Sequence, residues 1–131
     1  MRTLTRVFKA LADQTRLQML GLLLEAGELC VCDFVAVLQI TQSKASRHLR
    51  HLVDAGLLDD RREAVWVYFR ISAEPGPAQA RVLEVLPAVL AGRMPAGLFE
   101  RLAAWRESKE RPGSGCRVSA ATGAAGRGGG R

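Results

Sequence analysis

The chain has 131 residues, of which 48% are hydrophobic, and 19 basic against 13 acidic residues give it a formal net charge of +6. This length allows one modest hydrophobic core with a tail and excludes two large independent domains. No apolar run approaches the roughly 18 residues of a membrane span, and no signal-peptide core follows Met1, so we expect a cytoplasmic protein with no membrane partner. The positive charge favours a polyanionic partner such as nucleic acid, although simple solubility would also explain it.

The first 27 residues predict two helices. The first has one apolar face, which we expect to point inward, formed by Leu4, Val7, Phe8 and Leu11. The second is predicted from Asp13 to Ala26, with Asp13 as its N-cap and Gly27 just beyond its C-terminus. Its apolar face comprises Leu17, Leu20, Leu23 and Leu24. Both helices are therefore expected to serve as scaffold.

A second pair of helices is predicted between residues 31 and 55. The first runs from about Val31 to Gln39, and its inward side chains are Phe34, Val37 and Leu38. After a tight turn, Thr41 caps a basic helix whose apolar face is formed by Ala45, Leu49, Leu52 and Val53. The opposite face is basic and polar and has no acid before Asp54, which suits the major groove of DNA. This arrangement is typical of a helix-turn-helix, although the charges alone are also compatible with an ordinary solvated face.

The candidate DNA-binding residues belong to this basic helix and to the segment after it. They are Thr41, Gln42, Ser43, Lys44, Ser46, Arg47, His48, Arg50, His51, Arg61 and Arg62. His48 and His51 also have the i, i+3 spacing that permits metal binding, but on this face contacts with phosphate or the groove are favoured.

Residues 57–72 predict a β-hairpin. Two strand-like halves flank residues 62–64, and in the second half Val65, Val67, Phe69 and Ile71 alternate with other side chains at the period of a strand. The hairpin makes the unit a winged helix-turn-helix, mainly α with a small β-hairpin wing. Arg61 and Arg62 are expected at the wing tip. Because the turn lacks the Gly or Asn of tight two-residue loops, we expect a looser turn.

The C-terminal third predicts further helices with more apolar surface than one small domain needs. The apolar positions are Val82, Leu83, Val85, Leu86, Val89 and Leu90, continued by Leu98, Phe99, Leu102 and Trp105. Burial against a second copy would give a homodimer through these terminal helices, and packing on the chain's own core is the alternative. Pro87 and Pro95 predict a kink or a division into two helices. We expect residues 1–110 to form a winged helix-turn-helix domain with C-terminal dimerisation helices, and residues 111–131 to be a disordered glycine-rich tail.

Cys30 and Cys32 stand where the first helix of the helix-turn-helix begins. An odd count of three cysteines argues against a disulfide scaffold and for reduced thiols. The positive end of the helix favours thiolates, which Glu28 and Asp33 oppose, and thiolates select soft, thiophilic ions. Buried structural cysteines are equally compatible with the spacing. A cysteine enzyme would need a histidine or acid placed to activate the thiol, and neither histidine is so placed, so no catalytic residue is predicted.

Four segments together resemble the ArsR (ArsR/SmtB) family of metal-responsive repressors: LADQTRLQML, ELCVCDF, SKASRHLRHLVDAGLL and WVYFRIS. The motif ELCVCD is similar to the arsenical-sensing branch of that family. The resemblance covers Phe8 to about Ser72. It implies a homodimeric repressor that binds double-stranded operator DNA of an arsenic-resistance operon without a cofactor and dissociates when trivalent arsenic or antimony binds. It also implies that Cys30 and Cys32 are two of the inducer's ligands.

The family's third ligand position corresponds here to Val35, so one sulfur is missing from this helix. Cys116 in the tail of either subunit could supply it, or the pair could bind an arsenical such as methylarsenite that carries an organic substituent. Cadmium and lead sensing is disfavoured because that branch adds N-terminal cysteines. The family's zinc site is disfavoured because it needs Asp and His ligands on the C-terminal helix, and the only histidines are His48 and His51. A repressor that senses oxidants through a disulfide between Cys30 and Cys32 is the nearest alternative function.

Overall fold

The computed structural model describes residues 1–109 as six helices and three strands. Their order is α1 (Arg2–Leu11), α2 (Gln14–Ala26), β1 (Glu28–Cys30), α3 (Val31–Leu38), α4 (Gln42–Asp54), β2 (Leu58–Glu63), β3 (Trp66–Ile71), α5 (Pro77–Leu90) and α6 (Leu98–Lys109). The expected tail at residues 111–131, with Cys116, lies outside the described residues. Among the helices of residues 1–109, none is both long and apolar enough to cross a membrane.

The predicted starts of α2 and α4 and the predicted end of α2 are confirmed. At both starts a short polar side chain accepts a hydrogen bond from one of the first backbone amides. Asp13 accepts a hydrogen bond from the backbone N–H of Arg16 at 3.0 Å. Thr41 does the same for Lys44 at 3.1 Å. Helix α2 ends at Gly27, whose φ of +89° lies in the region that favours glycine.

The hydrophobic core lies between α2, the α3–α4 pair and the sheet. Helix α3 contributes Phe34 and Val37, and α4 contributes one fully buried face formed by Ala45, Leu49 and Leu52. Because this inner face is buried, α4 presents its polar face to the surface. The helix-turn-helix is therefore packed as the apolar spacing predicted.

The sheet has three antiparallel strands in the order β1-β3-β2, one more than the predicted hairpin. Strand β1 pairs with β3 so that Glu28 lies opposite Arg70 and Cys30 opposite Tyr68. Only three residues form β1, between the glycine that ends α2 and the start of α3, which is too short for a period-2 pattern. This strand joins the wing directly to the segment that carries the cysteines.

The wing turn is tight, so the prediction of a looser turn is wrong. Glu63 pairs with Trp66, which leaves only Ala64 and Val65 in the loop. Ala64 adopts a φ of +56°, a conformation that tight hairpin loops require and that normally selects Gly or Asn. The pairing of the flanking strands therefore overrides the preference of the turn residues.

The C-terminal region is divided into two helices, as Pro95 predicted, whereas Pro87 lies inside α5. The expectation that Leu98 and Leu102 continue a dimer face is wrong, because both side chains are buried in the chain's own core. Helix α6 packs against α3. On α5, in contrast, Val85 and Val89 remain 54% and 51% exposed.

Helix α1 packs against α2 and α5 with part of the predicted face, because Val7 is buried and Leu11 packs against the core. Val7 and Ala10 are fully buried, but Phe8 is 56% exposed and Leu4 is also exposed. The helical spacing correctly predicted that α1 has apolar side chains on one side, but it did not show which of them are buried in the chain and which are exposed to solvent.

Candidate functional site

Cys30 and Cys32 lie side by side where β1 meets the first turn of α3. Their Sγ atoms are 2.8 Å apart. Cys30 is only 1% exposed, whereas Cys32 is half-buried. The Asp33 carboxylate completes a group in which one ligand atom from each residue lies within 4.8 Å of the others. In residues 1–109 no other group of three or more His, Cys, Asp and Glu side chains is arranged to share an ion.

The buried carboxylate of Asp33 is a shared acceptor beside the sulfur pair. One oxygen accepts the backbone N–H of Cys30 at 2.8 Å, which caps the start of α3. The other accepts the Trp105 indole N–H at 2.7 Å and the Lys109 ammonium at 2.6 Å. The C-terminal half of α6 is thereby attached to the site.

Sequence reasoning missed these three roles. An acid three residues after an N-cap is the signal of a capping box, and it could have identified Asp33. Trp105 and Lys109 lie more than 70 positions away along the chain and carry no such signal.

The Cys30 thiol is protonated at neutral pH in this conformation, and the expected opposition of Asp33 to a thiolate is confirmed. Burial, and after it the negative charge of Asp33, raise the pKa of Cys30 to about 11. The Lys109 ammonium, 3.9 Å from Sγ, opposes this rise without cancelling it. The loss of hydration and the charge of Asp33 together therefore outweigh the lowering effects of Lys109 and of the Asp33 backbone N–H.

The site offers two sulfurs and one carboxylate, a donor set suited to a soft, thiophilic ion rather than to a hard one. Val35, the position corresponding to the family's third ligand, carries no ligand atom and packs against the core. Cys116, the other candidate third ligand, lies outside the described residues.

The polar face of α4 carries most of the candidate DNA-binding residues. Its exposed members are Thr41, Gln42, Ser43, Lys44, Arg47 and Arg50, whereas Ser46, His48 and His51 are partly buried. Arg47 donates a hydrogen bond to the Ser43 hydroxyl at 2.9 Å. A cavity of about 550 Å³ separates α4 from the wing, and it is lined by Arg47, Arg50, His51 and Arg62 among others.

Several of the candidates have partners within the chain, among them Arg50, which forms an ion pair with Asp60 of β2 at 3.2 Å. Nδ1 of His48 lies 3.0 Å from Nη1 of Arg16, so this ring faces α2. Burial lowers the pKa of His48, which leaves the ring neutral at neutral pH. Arg61 lies within β2 rather than at the wing tip. There it forms ion pairs with Glu28 at 2.8 Å and with Glu63, over the ring of Tyr68.

A profile described as "Bacterial regulatory protein, arsR family" matches residues 13–60. The arsenic resistance transcriptional regulator ArsR1 of Pseudomonas putida is 52% identical over 68 residues, which are 52% of this chain and 53% of that protein. The chain thus aligns with about half of that regulator's length. The arsenical resistance operon repressor of Escherichia coli K12 is 46% identical over 79 residues, which are 60% of this chain and 68% of the repressor.

Solved structures agree with the sequence similarity. The homodimeric winged helix-turn-helix DNA-binding domain Mb0332 from Mycobacterium bovis superposes with a TM-score of 0.58 at 33% identity, over 72% of this chain and 83% of that one. The antimony-specific transcriptional repressor AntR superposes with a TM-score of 0.53 at 31% identity, over 66% and 76% of the two chains. With its winged helix-turn-helix fold and its extensive identity to these regulators, the chain belongs to the ArsR family of bacterial transcriptional regulators.

Proposed function

We propose that this protein is a repressor that binds operator DNA of an arsenic-resistance operon and dissociates when trivalent arsenic or antimony binds. The observation that carries the proposal is the pair of Cys30 and Cys32 sulfurs, 2.8 Å apart at the start of the helix that supports α4. Relatives named as arsenic and antimony regulators support the same chemistry. We propose that it acts in the cytoplasm and has no enzymatic activity.

The DNA contact is assigned to α4 and the wing. The exposed face of α4 presents Lys44, Arg47 and Arg50 without an acid between them, and such donors suit phosphates and the edges of guanine. Arg62 faces α4 across the intervening cavity. We propose that α4 enters the major groove and that the wing contacts the adjoining backbone.

The repressor is proposed to act as a homodimer, because one chain presents one recognition helix. Helices α1 and α5 pack together and leave Phe8, Val85 and Val89 exposed. Burial of these side chains against the same surface of a second copy removes apolar area from water and gives a two-fold assembly. Two recognition helices about one DNA turn apart then contact two half-sites.

The inducer is proposed to bind by ligand exchange, in which thiols replace the hydroxyl groups of trivalent arsenic. Trivalent arsenic in water carries three hydroxyl groups, and each thiol that replaces one releases a water molecule, so Cys30 and Cys32 fill two of its positions. We propose that Cys116 fills the third. An arsenical with one organic substituent, such as methylarsenite, needs only the two sulfurs, and the two arrangements therefore differ in which arsenical acts best.

Inducer binding can be coupled to DNA release because Cys30 contacts or adjoins three elements of the fold. It pairs with Tyr68 of the wing, it precedes the first turn of α3, and its Sγ lies 3.9 Å from the Lys109 ammonium. The sulfurs are already adjacent, so the inducer does not have to draw them together. It acts by binding more tightly to a conformation in which these contacts, and hence α4 and the wing, are rearranged.

Thiol oxidation is the second candidate function, and the short distance between the sulfurs favours it. Operator release from reduced protein by arsenite but not by peroxide separates the two functions.

The Asp33→Asn variant tests the attachment of α6 to the sulfur site. We expect it to lower the free energy of unfolding by on the order of 2 to 4 kcal/mol. The ion pair with Lys109 is lost, and an NH₂ group replaces one of the two buried carboxylate oxygens that accept hydrogen bonds. Urea unfolding, followed by Trp105 fluorescence in a Trp66→Phe background, measures the change. Glu100→Gln removes an exposed acid from the same helix and should change stability by less than about 0.5 kcal/mol. Equal stabilities of the two variants would contradict the role of Asp33.

The Arg47→Ala variant tests the DNA-binding face. Specific operator binding should weaken by about 1 to 3 kcal/mol while the dimer stays folded, because one charged donor to the groove is removed. Titration of an operator duplex identified by footprinting measures the loss. Arg106→Ala, an exposed arginine on α6, is the matched control. If Arg47→Ala binds the operator as Arg106→Ala does, α4 does not present this face to DNA.

Replacement of both Val85 and Val89 by Asp tests the dimer. The variant should sediment as a monomer, because each carboxylate would be buried in the interface without a partner. Val65→Asp alters a similarly exposed valine in the wing turn and should leave the dimer intact. A dimer that survives the double substitution would place the interface elsewhere.

The inducer site is tested by Cys30→Ser and Cys32→Ser. Both variants should bind the operator, since a hydroxyl can cap the start of α3, but neither should release it with arsenite, because oxygen is a hard and weak ligand for this ion. Fluorescence anisotropy of a labelled operator measures release, and circular dichroism checks folding. Release that persists in the double variant would end the proposed function.

Cys116→Ser distinguishes the two forms of the site. If the tail supplies the third sulfur, this variant should lose most of its response to arsenite and keep its response to methylarsenite. An unchanged response to arsenite, with methylarsenite the better inducer of the unaltered protein, would instead indicate a site of two thiols.

A further inference from the structure

A second basic surface, on α1, has no role in the function proposed above. Arg2, Arg6 and Lys9 follow one another at i, i+4 and i+7, which places them on one side of the helix. All three side chains are exposed. Within residues 1–109 none of the three takes part in an ion pair, whereas Arg16, Arg50, Arg61 and Arg70 each have an acidic partner. The α1 cations are therefore available for an anion outside the chain.

These side chains adjoin the DNA-binding helix. A cavity of about 770 Å³ is lined by Arg2, Thr5, Arg6 and Lys9 of α1 and by His51 and Asp54 of α4. His51 and Asp54 also line the cavity between α4 and the wing. One surface thus continues from α1, across the last turns of α4, to Arg62 of the wing. Asp54 is the one acid that lines the α1 cavity, against three cations.

The position of α1 relative to α4 is fixed by Arg16. Its Nε donates to the backbone carbonyl of Ala10 at 2.7 Å and its Nη2 to that of Lys9 at 3.1 Å, both in the last turns of α1. Its Nη1 contacts His48 on α4 at 3.0 Å. When α4 lies in a groove, the basic side of α1 is consequently held at a set place beside it.

We infer that Arg2, Arg6 and Lys9 bind phosphates of the DNA backbone that flanks the groove occupied by α4. The inference rests on the proposed function only in taking DNA as the partner. Contacts of this kind carry no sequence information, because every phosphate presents the same oxygens. They add affinity that falls with salt, as counterions are released from DNA. An anionic membrane surface is the weaker match, because a membrane-binding helix inserts its apolar side, and here Val7 and Ala10 of that side are buried in the protein.

The test is the salt dependence of DNA binding by the full chain carrying Arg2→Gln, Arg6→Gln and Lys9→Gln. Glutamine removes the charge and preserves the helix, and the contacts of Arg16 to α1 use backbone carbonyls, which the substitutions leave in place. The control carries Arg81→Gln, Arg93→Gln and Arg106→Gln, three exposed arginines elsewhere, and so has the same net charge. Both are titrated against a mixed-sequence duplex about three helical turns long over a range of salt concentrations, and sedimentation checks that each remains a dimer.

For the α1 variant we expect the slope of log K against log salt to become shallower by about 0.9 for each phosphate that the variant no longer neutralises. The control should keep the slope of the unaltered protein. The preference for the operator over the mixed duplex and the release by arsenite should be unchanged in the α1 variant, because neither depends on phosphate binding at α1.

Equal slopes for the two variants would overturn the inference, since only the net charge would then matter. A second result would also overturn the inference: the α1 variant binds DNA normally but no longer binds vesicles of anionic phospholipid, which the unaltered protein does bind. Failure of the proposed function is distinguishable from these results. An unaltered protein that binds no DNA refutes both proposals, whereas one that binds DNA but ignores arsenite refutes only the sensing role and leaves the slopes to decide.

Discussion

The structure around the sulfur pair depends on one buried carboxylate. Asp33 accepts hydrogen bonds from the Cys30 backbone, the Trp105 indole and the Lys109 ammonium, and so joins β1, α3 and α6 at one point. A buried carboxylate without these donors would be costly, and with them it fixes the register of α6 against α3. The same charge helps to keep the Cys30 thiol protonated. One acid therefore positions the candidate inducer site and also adds to the effect of burial in keeping the Cys30 thiol protonated.

Much of the fold was predictable because its signals are local. The caps at Asp13 and Thr41 and the apolar spacing of Ala45 and Leu49 depend only on residues within a few positions of one another. The features that sequence reasoning missed depend on distant partners. Strand β1 exists because β3 pairs with it from about 40 positions away. The tight turn at Ala64 has a different origin, because it is imposed by the pairing of β2 with β3 on either side of the loop. Likewise, spacing showed that α6 has an apolar side, but only packing on α3 decides that this side lies inside the chain.

In the candidate site, too, some features can be read from local sequence and others depend on distant residues. Two cysteines in one short motif can be read from the sequence, and so can the basic face of the helix after them. The protonation of Cys30 cannot, because it depends on burial and on the net effect of Asp33 and Lys109, which lies on the last described helix. Nor can the internal partners of His48 and Arg61 be inferred, since Arg16 and Glu28 reach them only through the fold. The role of these side chains therefore depends more on the charged groups that the fold places beside them than on their position in a sequence motif.

The winged helix-turn-helix alone does not specify a sensor, because a fold serves many functions and the site decides among them. In this chain the connection between the sulfurs and DNA follows from how tightly α4 is held. On one side its buried face shares a core with Phe34 and Val37 of α3, and on the other the contact of His48 with Arg16 ties it to α1 and α2. Close-packed interiors do not deform gradually, so a displacement of α3 moves α4 as a unit or breaks one of these contacts. A small ion at the first turn of α3 can therefore alter the position of a helix whose surface it never touches.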